Sequence, residues 1–465
     1  MKVSAIALDL GTTSIKAGLL DQDGVLGNVV AKPAPKITAD GGRYESDALA
    51  YAAVAEQVLG ECVARAGDCK VLGLCSQRSS FLIWERATGQ PVTPLISWQD
   101  NRGAASCEAL RAQENSIREI TGLPLTPYYF APKLHVLLQD HPQWRTRLER
   151  GEWLAGTLDT FLIWRWSGGE HYVTDASMAA RTLLMDIRQR QWSPQLCGLF
   201  GIPSGILPEI KSSAGLQLRL NNGLLLQASV GDQSAALIAS AGENCAEALV
   251  NLGTGCFVVR CLPEGNLPAE KFALNGYLRT LVYQDSAQRA HFAVEGTLNS
   301  IAAALAPHPV NECRVEDFAV DNILCLAEPS GLGAPYFRND IGIRFSQPVE
   351  HLPQRRIAAL LLEAVIFRVA RILEDFHRET AIERVYLSGG LSELTCLQQG
   401  IARCVPFDVY RLLQAESSLQ GAALLAAGMA QCRREAERIP AGRNGQALLE
   451  KYRRWKEWFT ALLGS

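Results

Sequence analysis

Asp9, Gly11, Thr12, Thr13 and Ser14 follow the apolar run Ile6 to Leu8, and their types suit one kind of chemistry. A glycine lets the backbone approach a ligand closely, and the hydroxyl residues after it add N–H and O–H donors, the equipment of an anion-binding nest. Asp9, ending an apolar strand, is a hard oxygen ligand suited to Mg²⁺. The same residues also read as an ordinary hairpin, because Ile15 to Leu20 resume the apolar pattern before the turn at Asp21 to Gly24. An echo favours the ligand-binding reading: Leu249 to Val259 repeats strand, bend and strand around Gly253, Thr254 and Gly255. Two such hairpins imply two related domains facing one phosphate chain.

Three further stretches place reactive side chains at the ends of apolar runs, where ligand groups gather in open α/β sheets. Lys70 to Cys75 leads into Gln77, Arg78 and Ser79; Leu95 and Ile96 lead into Trp98, Asp100 and Arg102. Taken singly, Trp98 also reads as a core plug, and Arg78 and Asp100 as a surface ion pair. Asp232, between Gly231 and Gln233, sits where a strand gives way to a helix of small residues. It suits a helix cap or a carboxylate that accepts a proton from a hydroxyl, and the two roles are compatible. Pro124 and Pro127 hold Tyr128 in a loop.

Apolar residues at helical spacing predict helices over 47–66, 105–121, from 133, 297–305, 357–380 and 420–429. Strands are expected over 70–75, 81–84 and 385–391, the last running into Gly389 and Gly390. Asp159 reads as an N-cap ahead of Phe161 to Trp164. The irregular stretch 212–226 marks a boundary, giving domains 1–227 and 228–465. The closing helix around Tyr452 to Trp458 is a solvated charged face or, alternatively, a partner surface.

The 465 residues, a formal net charge of −3 and 48% hydrophobic content describe a globular chain with no bulk reason to bind nucleic acid or an anionic membrane. Thirteen cysteines without a Cys-x-x-Cys pair argue for free thiols in a reducing compartment, so a cytoplasmic location is expected.

The order of motifs resembles the FGGY carbohydrate kinases and, within them, the glycerol kinases. It rests on Asp9-x-Gly-Thr-Thr-Ser14, Gln77-Arg78, Trp98-Gln-Asp-x-Arg102, Gly122 to Tyr128, Gly156 to Thr160, Gly231-Asp-Gln233, Gly253-Thr-Gly255 and Gly389-Gly390. The resemblance implies an α/β fold of two actin-like ATPase (ribonuclease H-like) domains with a cleft between them, the first binding substrate and the second ATP. It implies Asp232 as general base, Asp9 with Asp232 holding Mg²⁺, and a small polyol or sugar as acceptor. Arg78, Ser79, Trp98, Tyr128 and Gln233 would face the acceptor. Gly11, Thr12, Thr13, Ser14, Lys16, Gly253, Thr254, Gly255, Gly389 and Gly390 would bind the nucleotide. A homodimer is the candidate assembly. Ser79 stands where glycerol kinases carry Glu, which favours an acceptor other than glycerol, such as a ketose. Ala302 and Leu394 depart from the family on the nucleotide side, and the alternative they support is a member that binds a ligand or partner without turnover.

Overall fold

The computed structural model describes residues 2–242, 244–263, 276–338, 340–414, 416–429, 435–440 and 445–464. The chain divides into two compact units, one of Met1–Gly242, Arg279–Phe292 and Glu416–Arg433, the other of Glu243–Leu278, Ala293–Ala415 and Arg434–Ser465.

The first unit begins with β1 (Val3–Leu10), β2 (Ser14–Asp21) and β3 (Leu26–Pro33), then α1 (Ala48–Val63) and β4 (Val71–Ser76). After β5 (Phe81–Glu85), β6 (Leu95–Ile96), α2 (Phe130–Asp140) and α3 (Leu158–Trp166), the chain returns as β7 (Ala214–Arg219), β8 (Leu225–Gly231) and α4 (Asp232–Ser240). The six-stranded sheet has the order β7-β8-β4-β1-β2-β3. Ala5, Ile6, Ala7 and Leu8 are all fully buried, the near-continuous apolar pattern a central strand covered on both faces requires. Asp47 starts α1 by accepting from the Leu49 and Ala50 N–H groups, and the helix lays Tyr51, Ala52, Ala55, Val58 and Leu59 into this core. β4 runs parallel to both β1 and β8, with Asp9 opposite Cys75 and Ser76 opposite Gly231. Three strands therefore end at one edge of the sheet.

The helix Ser417–Ala426 belongs to this unit and packs on α4 through small residues. A Cβ on Gly421 would lie 1.8 Å from the Ala235 carbonyl oxygen, so only glycine allows this approach. Gly421→Ala is expected to destabilise the protein by about 1–3 kcal/mol or more, read as a lower urea midpoint at unchanged slope.

The second unit pairs β9 (Glu247–Leu252) with β10 (Cys256–Cys261) around Gly253, Thr254 and Gly255, the hairpin that echoes β1 and β2. β11 (Ala290–Leu298) pairs with β10, while the buried helix α5 (Gln354–Glu379) leads to β12 (Arg384–Ser388), parallel to β9, and then to β13 (Asp408–Leu412). The last helix, α6 (Gln446–Gly464), buries Tyr452, Trp455 and Phe459. Trp455 Nε1 donates to the Cys325 carbonyl at 2.8 Å, so these aromatics serve the core instead of an open partner surface.

Several elements differ from expectation. Residues 297 and 298 extend β11, because Thr297 and Leu298 pair with Phe257 and Cys256, and the helix shrinks to Ile301–Leu305. The expected helix over 105–121 is Ala104–Ala109 and Glu114–Thr121 separated by a tight turn. Thr157, not Asp159, occupies the N-cap of α3; Asp159 lies buried in the first turn and accepts from Thr174 Oγ1 at 3.1 Å. β8 spans the proposed boundary at 227/228, its pairing register with β4 shifting between Leu226 and Ala228, and the first unit continues to residue 242. Every described cysteine is free, and most are buried. Cys432 lies outside the described residues. Among the described residues no helix is long and apolar enough to cross a membrane.

Candidate active site

The shared strand edge of the first unit gathers Asp9 from β1, Gln77 and Arg78 from the end of β4, and Asp232 from the end of β8. Arg78 is 4% exposed and places Nε 3.5 Å from Asp232 Oδ1. Asp232 is the first residue of α4, and its Oδ1 accepts from the Gln233 N–H at 2.7 Å. Gly231, immediately before it, donates its N–H to Ser177 Oγ at 2.9 Å. Ser177 in turn donates to Asp175, whose buried carboxylate also accepts from Ser213 Oγ at 2.5 Å. Asp175 and Ser177 thus fix the peptide that aims Asp232. Sequence reasoning missed this brace; a Thr-Asp-Ala-Ser run ahead of a buried turn was its only signal.

Gln77 ties the bend after β1 to the loop between β4 and β5. Its Oε1 accepts from Thr12 Oγ1 at 3.2 Å and from Ser80 Oγ at 2.8 Å. Trp98 joins the same group, donating Nε1 to Thr12 Oγ1 at 2.9 Å and its N–H to Ser80 Oγ at 3.0 Å. The Tyr51 hydroxyl donates to the Gly11 carbonyl at 2.7 Å, pinning the bend from α1. Trp98 is half-buried, with its ring 5.4 Å from that of Tyr128. The pair forms a tilted aromatic wall, not a core plug. Arg78 and Asp100 are both buried and do not form the surface pair; Asp100 instead accepts from Arg102 Nε at 2.7 Å and from the Tyr44 N–H at 2.8 Å.

Two predicted residues are placed less openly than expected. Ser79 is 1% exposed, with φ of 64°, and donates its hydroxyl to the Arg181 carbonyl at 3.0 Å. It sets the course of the loop while its own oxygen is engaged elsewhere. Lys16 places Nζ 2.6 Å from Glu416 Oε2, so its charge is already paired. Thr13 is exposed, and Gly11, Thr12, Ser14 and Gln233 are half-buried.

Electrostatics mark Asp9 and Asp232 as a coupled pair. Burial, followed by the Asp232 charge, pushes the Asp9 carboxyl up to about 7 against the opposing pull of the Cys75 thiol and Lys16. Burial also raises Asp232 above the ordinary carboxylate range, with the Arg78 guanidinium working the other way. Asp9 Oδ1 is shut off from solvent and has no hydrogen-bond partner among the described residues. A divalent cation would satisfy that oxygen and offset the repulsion between the two carboxylates. The described residues contain no cluster of three or more His, Cys, Asp or Glu able to hold a metal. Mg²⁺ needs none, since it commonly binds through one or two carboxylates plus water and substrate phosphates. Asp9 and Asp232 fit that mode.

In the second unit, Asn251 opposite Ser388 brings the Gly253–Gly255 bend and the Gly389–Gly390 turn to the same sheet edge. Thr254 and Gly390 are exposed there, and the Thr254 carbonyl is held by the Ala302 N–H at 3.1 Å. Gly389 has φ of 87°, and a Cβ on it would meet the Leu252 carbonyl oxygen at 2.4 Å. The strand end therefore demands glycine and leaves backbone N–H groups beside the bend. Leu394 precedes the helix Thr395–Cys404.

Residues 4–248 match the model of the N-terminal domain of the FGGY family of carbohydrate kinases, and residues 248–430 match that of its C-terminal domain. Glycerol kinase 2 of Streptomyces avermitilis is 31% identical over 451 residues, covering 91% of this chain and 88% of that protein. The apulose kinase of Pectobacterium atrosepticum is 30% identical over 488 residues, covering 97% of this chain and 96% of that one. The crystal structure of Plasmodium falciparum glycerol kinase with ADP shares the fold, with a TM-score of 0.83 at 21% identity over 98% of this chain and 97% of that one. Family models spanning most of the sequence, and relatives of this identity over nearly its full length, lead to one conclusion: the chain belongs to the FGGY family of carbohydrate kinases, ATP-dependent phosphotransferases.

Proposed function

We propose that this kinase transfers the γ-phosphoryl group of ATP to a hydroxyl of a small polyol or sugar, with Asp232 as the general base. The observation that carries this reading is the meeting of Asp9, Arg78 and Asp232 at one strand edge, with Asp232 backed by the Ser177 brace and facing the Arg78 guanidinium. Asp232 accepts the proton of the attacking hydroxyl, and Arg78 and Gln233 orient the acceptor against the wall of Trp98 and Tyr128. Asp9 and Asp232 would hold Mg²⁺, which would supply neutralisation of the phosphate charge. The bend Gly11 to Ser14 supplies phosphate donors in the first unit, and Gly253–Gly255 with Gly389–Gly390 supply backbone donors in the second. Phosphoryl transfer depends mainly on such positioning and charge neutralisation.

The acceptor side favours a substrate other than glycerol. A glycerol kinase places a carboxylate directly after this arginine, whereas Ser79 has no carboxylate and gives its hydroxyl to a backbone carbonyl. Two fewer acceptor oxygens for neighbouring hydroxyls leave recognition to Arg78, Gln233 and the aromatic wall. Relatives at similar identity include both glycerol kinase and apulose kinase, which keeps ketoses in the range of substrates.

The test is ADP release from ATP and Mg²⁺ across a panel of polyols, ketoses and aldoses. At least one acceptor is expected to raise ADP release well above the acceptor-free rate, with a ketose or longer polyol ahead of glycerol in kcat/KM. If every acceptor leaves the rate at its basal value, the proposed transfer fails; if glycerol leads the panel, the reading of Ser79 fails.

A further inference from the structure

Lys133 lies beneath the acceptor-side loops without facing the reaction. It belongs to the apolar face of α2, where Phe130, Ala131, Leu134 and Leu137 are also buried, and it is itself 0% exposed. Its Nζ donates to the Ser79 carbonyl at 3.1 Å and to the Ser97 carbonyl at 2.9 Å, and lies 5.8 Å from the centroid of the Phe81 ring. No carboxylate forms a salt bridge with it among the described residues. Asp100 attracts it from a distance and Arg102 opposes that attraction, while burial drags the ammonium down to about 7. Burying an ammonium without a paired carboxylate is costly, and a methionine would fill similar volume without that cost.

The two carbonyls that Lys133 joins come from different loops. Ser79 directly follows Arg78, whose guanidinium faces Asp232. Ser97 directly precedes Trp98, which reaches Thr12 and stands beside Tyr128. One buried cation thereby spans the backbones that carry an acceptor-side charge and an acceptor-side ring.

We propose that Lys133 is a positioning residue for acceptor binding, joining the Ser79 and Ser97 loops so that Arg78 and Trp98 keep the spacing that fits the sugar or polyol. The proposal rests on the acceptor-facing roles given above to Arg78 and Trp98. Positioning errors of about 1 Å can cost up to about a hundredfold in rate, so the effect should be visible in steady-state kinetics.

The test uses the full-length enzyme with ATP, Mg²⁺ and its best acceptor, and compares Lys133→Met, Lys133→Gln and Arg78→Gln. Lys133→Met is expected to raise the acceptor KM by about tenfold or more while the ATP KM stays within about twofold. Lys133→Gln keeps an amide donor and should fall between Lys133→Met and the parent; it carries the test alone if Lys133→Met does not fold. An acceptor KM within about twofold of the parent, or a parallel rise in both KM values, overturns the proposal. Arg78→Gln separates the two levels: if it too leaves the acceptor KM unchanged, the acceptor-site reading is at fault. If it alone raises that KM, Lys133 has no positioning role.

Discussion

Asp232→Asn lowers kcat by about 10²- to 10⁴-fold while the ATP KM changes by no more than about threefold. The substitution keeps the size of the side chain and an oxygen for the Gln233 N–H, which now lies 2.7 Å from Oδ1. It leaves the Ser177 brace on Gly231 untouched. What it removes is a proton acceptor, one of the two proposed Mg²⁺ ligands and one negative charge beside Arg78. The measurement is the initial rate of ADP release at saturating acceptor; a kcat within about fivefold of the parent would remove Asp232 from the base role. The pH profile gives a second readout. The base must be ionised, and burial raises Asp232 above the usual carboxylate range. The acidic limb of kcat should therefore begin at higher pH than for an ordinary aspartate, and Asp232→Asn should flatten it.

Asp9→Asn is expected to separate activity from stability. Losing one of two proposed cation ligands should cut kcat/KM by about 10²-fold or more and raise the Mg²⁺ requirement, since ligand identity governs this site. In metal-free buffer the same substitution should stabilise the fold. Asp9 moves from 3.8 to about 7 on folding, chiefly through burial and then the Asp232 charge. Below pH 3.8 both folded and unfolded states hold the proton and the shift contributes nothing. As pH rises toward 7 the unfolded chain ionises first, so stability falls. Above 7 the penalty is complete, at most about 4 kcal/mol by linkage. Asparagine cannot ionise, so Asp9→Asn should melt above the parent at pH 8 in chelator and converge with it near pH 4. Added Mg²⁺ should raise the melting temperature of the parent more than that of the variant. A variant less stable than the parent at pH 8 would show that Asp9 is held by structural contacts instead of strained by its charge.

These two carboxylates also show how far the sequence could be read. Asp9 was legible because it ends a strong apolar strand and precedes a glycine and three hydroxyl residues, a local pattern with few uses. Asp232 was legible as a residue that suits a helix start or a proton-accepting carboxylate, and the motif order favoured the second of these as a proposal. Ser79 was visible as a departure, but its buried, left-handed backbone and its bond to the Arg181 carbonyl were not, because residue 181 is remote in sequence. Asp159 and residues 297 and 298 were misplaced for a related reason: Thr174 and the β10 ladder, both distant in the chain, outweighed local capping and helix propensity.

The sequence by itself determined the paired hairpins, the order of the glycine–hydroxyl and carboxylate motifs, and the family, because each depends on residues close together in the chain. Only the tertiary structure decided that Arg78 faces Asp232 and Asp100 faces Arg102, and that Trp98 closes a hydrogen-bond group on Thr12. It alone also showed Lys133 reaching under two separate loops. The physical reason is that a buried charge or donor must find a partner, and parallel strand pairing decides which distant loop end supplies one.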